Sequence, residues 1–359
     1  MNNEKLFEIA SLFAFEGDVV SITPLGEGFI NDTYVVTTAG DSPNYILQRK
    51  NHYVFPNVPA MMGNIVAVSE HIKRKVADPM RQALTVTLTR SGELCADVDG
   101  NFWAACLFIS GSKCYDRADS TKLARQGGAG IGRFQSLLAD FDQPLHETIK
   151  GFHNIRHRFE QWDASVAADA AGRVAELAEE IEWIASRREK MLGFWSLVED
   201  GTIPTRVTHN DTKISNILFD QTTDDVLCAI DLDTVMNSTS LNDFGDAIRS
   251  YTNTGAEDDR DLSRVSMNLD MFRAYAEGFL SERKSTMTAS ELEWLAFSGI
   301  YITYEQVLRR FLMDYIDGDK YYKIAYPDHN LVRARAQYKL LTSMEEQYSQ
   351  MQSIICNLS

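Results

Sequence analysis

"VTHNDTKISNILFD", residues 207–220, sets a histidine, two aspartates, a lysine and two asparagines into a short stretch that closes on an apolar run. Asp211 and Asn216 are five residues apart, a spacing that lets a tight loop aim both side chains into one site. Twenty residues after Asp211, Asp231 follows the apolar run Cys228-Ala229-Ile230 where a chain leaves a sheet, and Asp233 comes two residues later. Any one of these residues alone would suit an Asx turn or the end of a strand. The ordered set H-x-D-x-x-x-x-N, apolar strand, D-x-D is far more specific.

Transfer of a phosphoryl group asks little covalent chemistry of a protein. It requires a group that orients or deprotonates the attacking hydroxyl, oxygen ligands for magnesium, and cover for the phosphates. Asp211 would accept the substrate proton. The amide oxygen of Asn216 and the carboxylate of Asp231 would hold Mg2+, a hard cation that keeps several waters and needs few protein oxygens. Asp233 would share the metal or the substrate. Lys213 would either reach the transferred phosphoryl group or lie solvated on the surface. His209 would pack and hydrogen-bond behind the loop. In "LGEGFINDTY", residues 25–34, Gly26 and Gly28 would let the backbone approach phosphate oxygens.

The rest of the chain accommodates such a site. Its 359 residues are too many for one ordinary core and suit two unequal parts. The first hundred residues are broken by glycines into short β-type segments. Residues 21–50 read as an antiparallel strand–turn–strand–turn–strand meander, and "ALTVTLT", "LCADVDG" and "NFWAACLFI" add three candidates. A helix is expected from Val58 to Val76. From about residue 120 helical periodicity dominates: two helices between Arg158 and Val198, then Met271–Leu280, Glu291–Tyr315 and Leu331–Met351. The fold class expected is α+β, with a small N-terminal antiparallel sheet lobe (1–108) and a larger, mainly helical C-terminal lobe (109–359). The hinge would lie near residues 107–112.

Composition narrows the partners. A net charge of −16 repels a phosphate backbone, so no nucleic acid is expected. The one basic cluster, His71-Ile72-Lys73-Arg74-Lys75, reads as a solvated helix face. The five cysteines are scattered without a CxxC, as in reduced core thiols. The N-terminus does not read as a signal peptide and the longest apolar run is far below the roughly 20 residues that span a bilayer. A cytoplasmic protein with no membrane partner is expected. His153 and His157, four residues apart, lack a third ligand for zinc, and the acidic run from Glu257 to Asp261 reads as a solvated helix start.

On these motifs the chain resembles the aminoglycoside phosphotransferase and choline kinase superfamily, which has the protein-kinase-like fold. "GEGFINDTY", "YILQRKN", "RVTHNDTK", "NILFD", "AIDLDTVM", "DFGDAIR", "FRAYAEGF", "FLMDYIDGDKYY" and "YPDHNLVRARAQ" are similar in particular to its N-acetylhexosamine kinases, which use ATP and magnesium to phosphorylate the anomeric hydroxyl of GlcNAc or GalNAc. The resemblance implies a base at Asp211, metal ligands at Asn216 and Asp231, a phosphate loop at Gly26 and Gly28, and bracing carboxylates at Asp243 and Asp246. It implies adenine near Leu107 to Ile109. Arg310 and Tyr321 match sugar-holding positions, although both would equally suit helix packing. Two positions depart from the pattern. The superfamily's third-strand lysine is replaced by Gln48, as in the hexosamine kinases, and Phe29 stands where a histidine is expected beside the sugar. The alternatives are a kinase of the same fold acting on an aminoglycoside, choline or another sugar, or a nucleotide-binding pseudokinase.

Overall fold

The computed structural model describes residues 3–26 and 30–359, which form two compact units. The first takes Met1–Cys114 together with two later stretches, Leu137–Lys150 and Asn216–Met236. The second takes Tyr115–Ser136, Gly151–Ser215 and Asn237–Ser359.

The first unit is built on an antiparallel sheet. Strands β1 (Val19–Pro24), β2 (Asp32–Thr38) and β3 (Tyr45–Lys50) form the expected meander. With β4 (Val86–Thr87), β5 (Ala96–Val98) and β6 (Asn101–Leu107), the order is β1-β2-β3-β6-β4, and β5 also pairs with β6. Strand alternation divides the faces. Tyr45 and Leu47 of β3 join Trp103, Val36 and Ile22 in a core closed by Leu6, Ile9 and Phe13 of the N-terminal segment, while Gln48 and Lys50 lie on the opposite face. "ALTVTLT" yields only the two-residue β4. The backbone of Leu88 and Arg90 is instead bonded by Ala14 and Leu12, which removes them from the sheet.

The expected first long helix runs Val58–Lys73, with Asn57 capping the Ala60 N–H at 3.1 Å. Its basic end is not wholly solvated. His71 and Ile72 are buried, and His71 Nε2 lies 3.0 Å from Asp140, so only Lys73 to Lys75 face outward. One buried carboxamide fastens both late stretches to this helix. Asn64 Nδ2 donates to the carbonyls of His146 (2.8 Å) and Val235 (2.9 Å), and Asn64 Oδ1 accepts the His146 N–H (2.8 Å). A third pairing joins strand β7 (Ser112–Lys113) to Ile217–Asp220, which pairs in turn with Val226–Ala229.

The second unit is helical. The helix Ser240–Tyr251, buried at every residue but Ser250, sits at its centre against Ala289–Glu305. Helices Ile155–Ala168, Ala178–Glu199 and Leu269–Arg283 fall where periodicity places them. Two expectations change. The helix expected to Tyr315 passes into a π-helix over Gln306–Met313, and the one expected from Leu331 to Met351 divides at Gln347 into His329–Glu346 and Tyr348–Leu358. Among the described residues no helix is long and apolar enough to cross a membrane.

Helices Thr121–Leu137 and Leu269–Arg283 cross so closely that only glycines fit. A Cβ at Gly278 would run into the Arg125 carbonyl, and one at Gly128 into that of Tyr275. Gly278→Ala should therefore lower the free energy of unfolding by roughly 2 kcal/mol or more, because overpacking outweighs the ~1 kcal/mol helix-propensity gain. Gly193→Ala, on an exposed helix face with nothing within 4 Å of the added carbon, should raise it by about 0.5–1 kcal/mol. Urea unfolding followed by circular dichroism checks both.

Candidate active site

In the second unit the strand Arg206–Thr208 leads into an irregular, buried loop whose backbone donors need partners. Two carboxylates of the central helix supply them. Asp243 accepts the N–H of His209 (3.0 Å) and Asn210 (2.7 Å), and Asp246 accepts that of Thr212 (2.9 Å). The Thr212 hydroxyl donates to the Asp243 carbonyl at 2.7 Å, and Gln135 Nε2 donates to the Asp243 carboxylate at 2.7 Å. His209 packs edge-on against Phe134, and its Nδ1 accepts the Asp211 N–H at 3.3 Å. The loop backbone is thus held from behind while the Asp211 side chain stays 34% exposed, 3.2 Å from Lys213 Nζ. Burial pushes the Asp211 carboxyl up, but Lys213, His209 and Arg310 more than offset it and hold it below the usual carboxylate range. At neutral pH it is ionised.

A buried ion cluster supports the same loop. His153 Nε2 lies 3.3 Å from the Asn210 carbonyl and its Nδ1 3.4 Å from Glu305, which also accepts from Arg158 Nε at 3.2 Å. Burial opposes ionisation of Glu305, yet His153, Arg158 and Arg309 bring its pKa down to about 2.

The π-helix carries Arg309 and Arg310 side by side. Arg310 lies over the Tyr322 ring (5.0 Å) and Arg309 over those of Tyr321 (5.3 Å) and Phe152 (5.6 Å). The buried Asp314 carboxylate fixes the tyrosine turn by accepting the N–H groups of Lys320, Tyr321 and Tyr322 at 2.8–3.1 Å. Arg309 also donates to the hydroxyls of both tyrosines at 3.5 Å, so Tyr321 lies with Arg309 and Tyr322 with both arginines. Burial disfavours the Arg310 charge, but Glu257, Tyr322, Asp211 and Asp246 outweigh it and keep the guanidinium protonated. Its Nε has no hydrogen-bond partner among the described residues. Glu257 corrects the reading of the acidic run as solvated: Arg249 donates to it at 3.3 Å, and Asp258 lies 3.0 Å from His329.

In the first unit, Gln48 Nε2 donates to Thr33 Oγ1 (3.0 Å) and its Oε1 accepts from Lys50 Nζ (2.7 Å). Asp233, expected beside the metal or the sugar, spends its carboxylate on Lys50 and Asn31. Leu107 ends β6 opposite Tyr45, and the Ile109 carbonyl accepts the Ser112 hydroxyl at 2.5 Å. Gly26 has φ +66°, a conformation that favours glycine, whereas Gly28 and Phe29 lie outside the described residues. Asn216 and Asp231 come together because the Ile230 N–H donates to the Asn216 carbonyl at 2.9 Å. An amide and a carboxylate on bonded backbone offer the hard oxygens that fit magnesium, which draws its remaining ligands from water and phosphate.

Lys50, Asn31, Arg309 and Glu305 escaped the sequence reading, and Glu257 entered it only as part of a solvated run. Only Lys50 had a signal, the strand alternation that puts it on the face of Gln48.

Fold and site together define a phosphotransferase of protein-kinase-like architecture. The pattern of the phosphotransferase enzyme family matches residues 21–277, and the chain belongs to that family. Similar solved structures include an aminoglycoside phosphotransferase from Alicyclobacillus acidocaldarius (13% identity, TM-score 0.57, 96% of each chain covered). A choline kinase from Cryptosporidium parvum shares 12% identity at TM-score 0.57, with 97% of each chain covered. A spectinomycin phosphotransferase in complex with ADP and spectinomycin shares 12% at TM-score 0.56, covering 95% of this chain and 99% of that one. At these identities the likeness establishes the fold alone.

Glu305 yields a pH test. Its folded pKa is depressed, so its stabilising contribution is complete above the ordinary carboxylate range and is lost as pH falls through about 2. Glu305→Gln leaves Arg158 without its carboxylate and should cost roughly 3–5 kcal/mol at pH 7. That deficit should shrink as pH falls below about 4, measured by urea unfolding at each pH.

Proposed function

We propose that the protein is an ATP-dependent sugar kinase that phosphorylates the anomeric hydroxyl of an N-acetylhexosamine, GlcNAc or GalNAc. The observation that carries this reading is the Arg310 guanidinium acting on Asp211, with Arg309 next to it on the π-helix. Arg310 adds to the field that keeps Asp211 ionised, and Arg309 and Arg310 are each backed by a tyrosine ring. Two fixed cations suit a neutral acceptor rich in hydroxyl and carbonyl oxygens. They oppose a polycationic aminoglycoside or a quaternary ammonium, which would call for carboxylates or an open aromatic cage. Structural likeness to a phosphotransferase that holds ADP supports a nucleotide donor. The ionised Asp211 in its braced loop favours catalysis over a pseudokinase.

Nucleotide handling is assigned to the first unit, with Gly26 and Gly28 covering phosphates, Leu107 to Ile109 meeting adenine and Gln48 offering an amide. Acceptor handling is assigned to the second unit. Asp211 takes the proton of the anomeric hydroxyl as its oxygen bonds to the γ-phosphorus. The bond to the β–γ bridging oxygen breaks, and ADP leaves. Lys213 offsets charge on the transferred group. Arg310 and the Tyr321–Tyr322 turn hold the sugar. When bound at Asn216 and Asp231, magnesium supplies further neutralisation of phosphate charge.

With ATP and a panel of acceptors, phosphorus NMR should show an anomeric phosphate on GlcNAc or GalNAc. Product formed only with kanamycin or choline would overturn the acceptor assignment. Asp211→Asn should reduce kcat about 10²–10⁴-fold with little change in the KM for ATP. Turnover equal to wild type would remove the enzyme reading. Arg310→Leu should raise the KM for sugar about tenfold or more, the cost of a lost charged hydrogen bond.

A further inference from the structure

Asp231 stands in the left-handed region, with φ +59°. For a residue other than glycine that conformation is uncommon, though aspartate tolerates it better than most, and it is held here by its surroundings. Here the chain is pinned on both sides. Before Asp231, the Ile230 N–H is bonded to the Asn216 carbonyl at 2.9 Å. After it comes the turn Leu232–Thr234, closed by the Val235 N–H on the Leu232 carbonyl at 3.0 Å, and Asn64 holds the Val235 carbonyl at 2.9 Å.

The pin inside the turn is Asp233, only 3% exposed. Lys50 Nζ donates to its two oxygens at 2.7 and 3.0 Å, and Asn31 Nδ2 donates to Oδ2 at 2.7 Å. Lys50 is 4% exposed and anchored by Gln48 Oε1 at 2.7 Å, while Asn31 Oδ1 accepts the Asn51 N–H at 3.1 Å. Three segments of one compact unit thus meet at a single carboxylate: Asn31 just before β2, the end of β3 and the turn that carries Asp231. A buried ion pair is a weak source of stability, since its desolvation offsets most of its attraction and an apolar pair of similar size often does as well. What it supplies that an apolar pair does not is direction, because two donors reach one carboxylate at fixed geometry.

We propose that Lys50 is a positioning residue for phosphoryl transfer: acting through Asp233, it sets the turn that carries Asp231 and thereby the affinity for magnesium–nucleotide. This rests on the phosphotransferase reading above and assigns Asp233 to the same clamp rather than to the sugar.

The test is calorimetric titration of the full chain with a non-hydrolysable ATP analogue over a series of magnesium concentrations, alongside thermal unfolding. Lys50→Met leaves a buried carboxylate without its cation and should lower the Tm. The double variant Lys50→Met/Asp233→Asn removes both charges, keeps an acceptor for Asn31 and should recover most of the Tm. It should nevertheless bind the magnesium–analogue at least tenfold more weakly and need more magnesium to saturate, with sugar affinity unchanged. A stable double variant with wild-type magnesium–analogue affinity would overturn the proposal, since the pair would then be structural alone. Wild type that binds the analogue but phosphorylates none of the sugars removes the acceptor assignment and leaves this one standing. Failure of wild type to bind the analogue removes both.

Discussion

A loop without regular structure cannot satisfy its own backbone, and the organisation of the second unit follows from that. The N–H groups of His209, Asn210 and Thr212 are buried and have no ladder to join, and an unpaired buried donor costs roughly 1–3 kcal/mol. Asp243 and Asp246, one helical turn apart on Ser240–Tyr251, accept all three. That explains why this helix is buried along nearly its whole length and why a carboxylate such as Asp243 is tolerated there. Burial pushes its carboxyl up, while His209, the loop N–H groups and Gln135 pull the other way.

Charge is distributed on the same principle. The chain is strongly acidic, yet its buried cations are placed one by one against carboxylates. Lys50 meets Asp233, Arg158 meets Glu305, and Glu291 lies between Arg206 (3.1 Å) and Arg283 (3.6 Å) while accepting the Ser240 hydroxyl (2.6 Å). Such pairs contribute little net stability, but losing one partner is costly, so they fix geometry more than they add energy. Arg310 differs. Its neighbours keep it charged, and its Nε has no hydrogen-bond partner among the described residues.

Much of the fold was legible because its signals are local. The meander of β1 to β3 follows from alternation and glycine turns, and the helices from apolar spacing; the structure adds the side-chain caps Asn57, Asn154, Asn268 and Thr288. Where a local signal misled, a distant partner had intervened. "ALTVTLT" loses most of its strand to backbone bonds from residues 12 and 14. Glu257 reads as part of a solvated acidic run until Arg249 and Arg310 are brought beside it.

By itself the sequence determined the chemical inventory and its order. An aspartate, an asparagine and a D-x-D at set spacings, with bracing aspartates downstream, are contiguous motifs, and contiguity is what a sequence displays. Only the tertiary structure decided which charges meet. Lys50 and Asp233 are 183 residues apart, Arg158 and Glu305 147, and neither pairing can be read from either neighbourhood alone. The physical reason is that a buried charge is tolerable only beside its partner, and which partner arrives is set by the packing of whole elements.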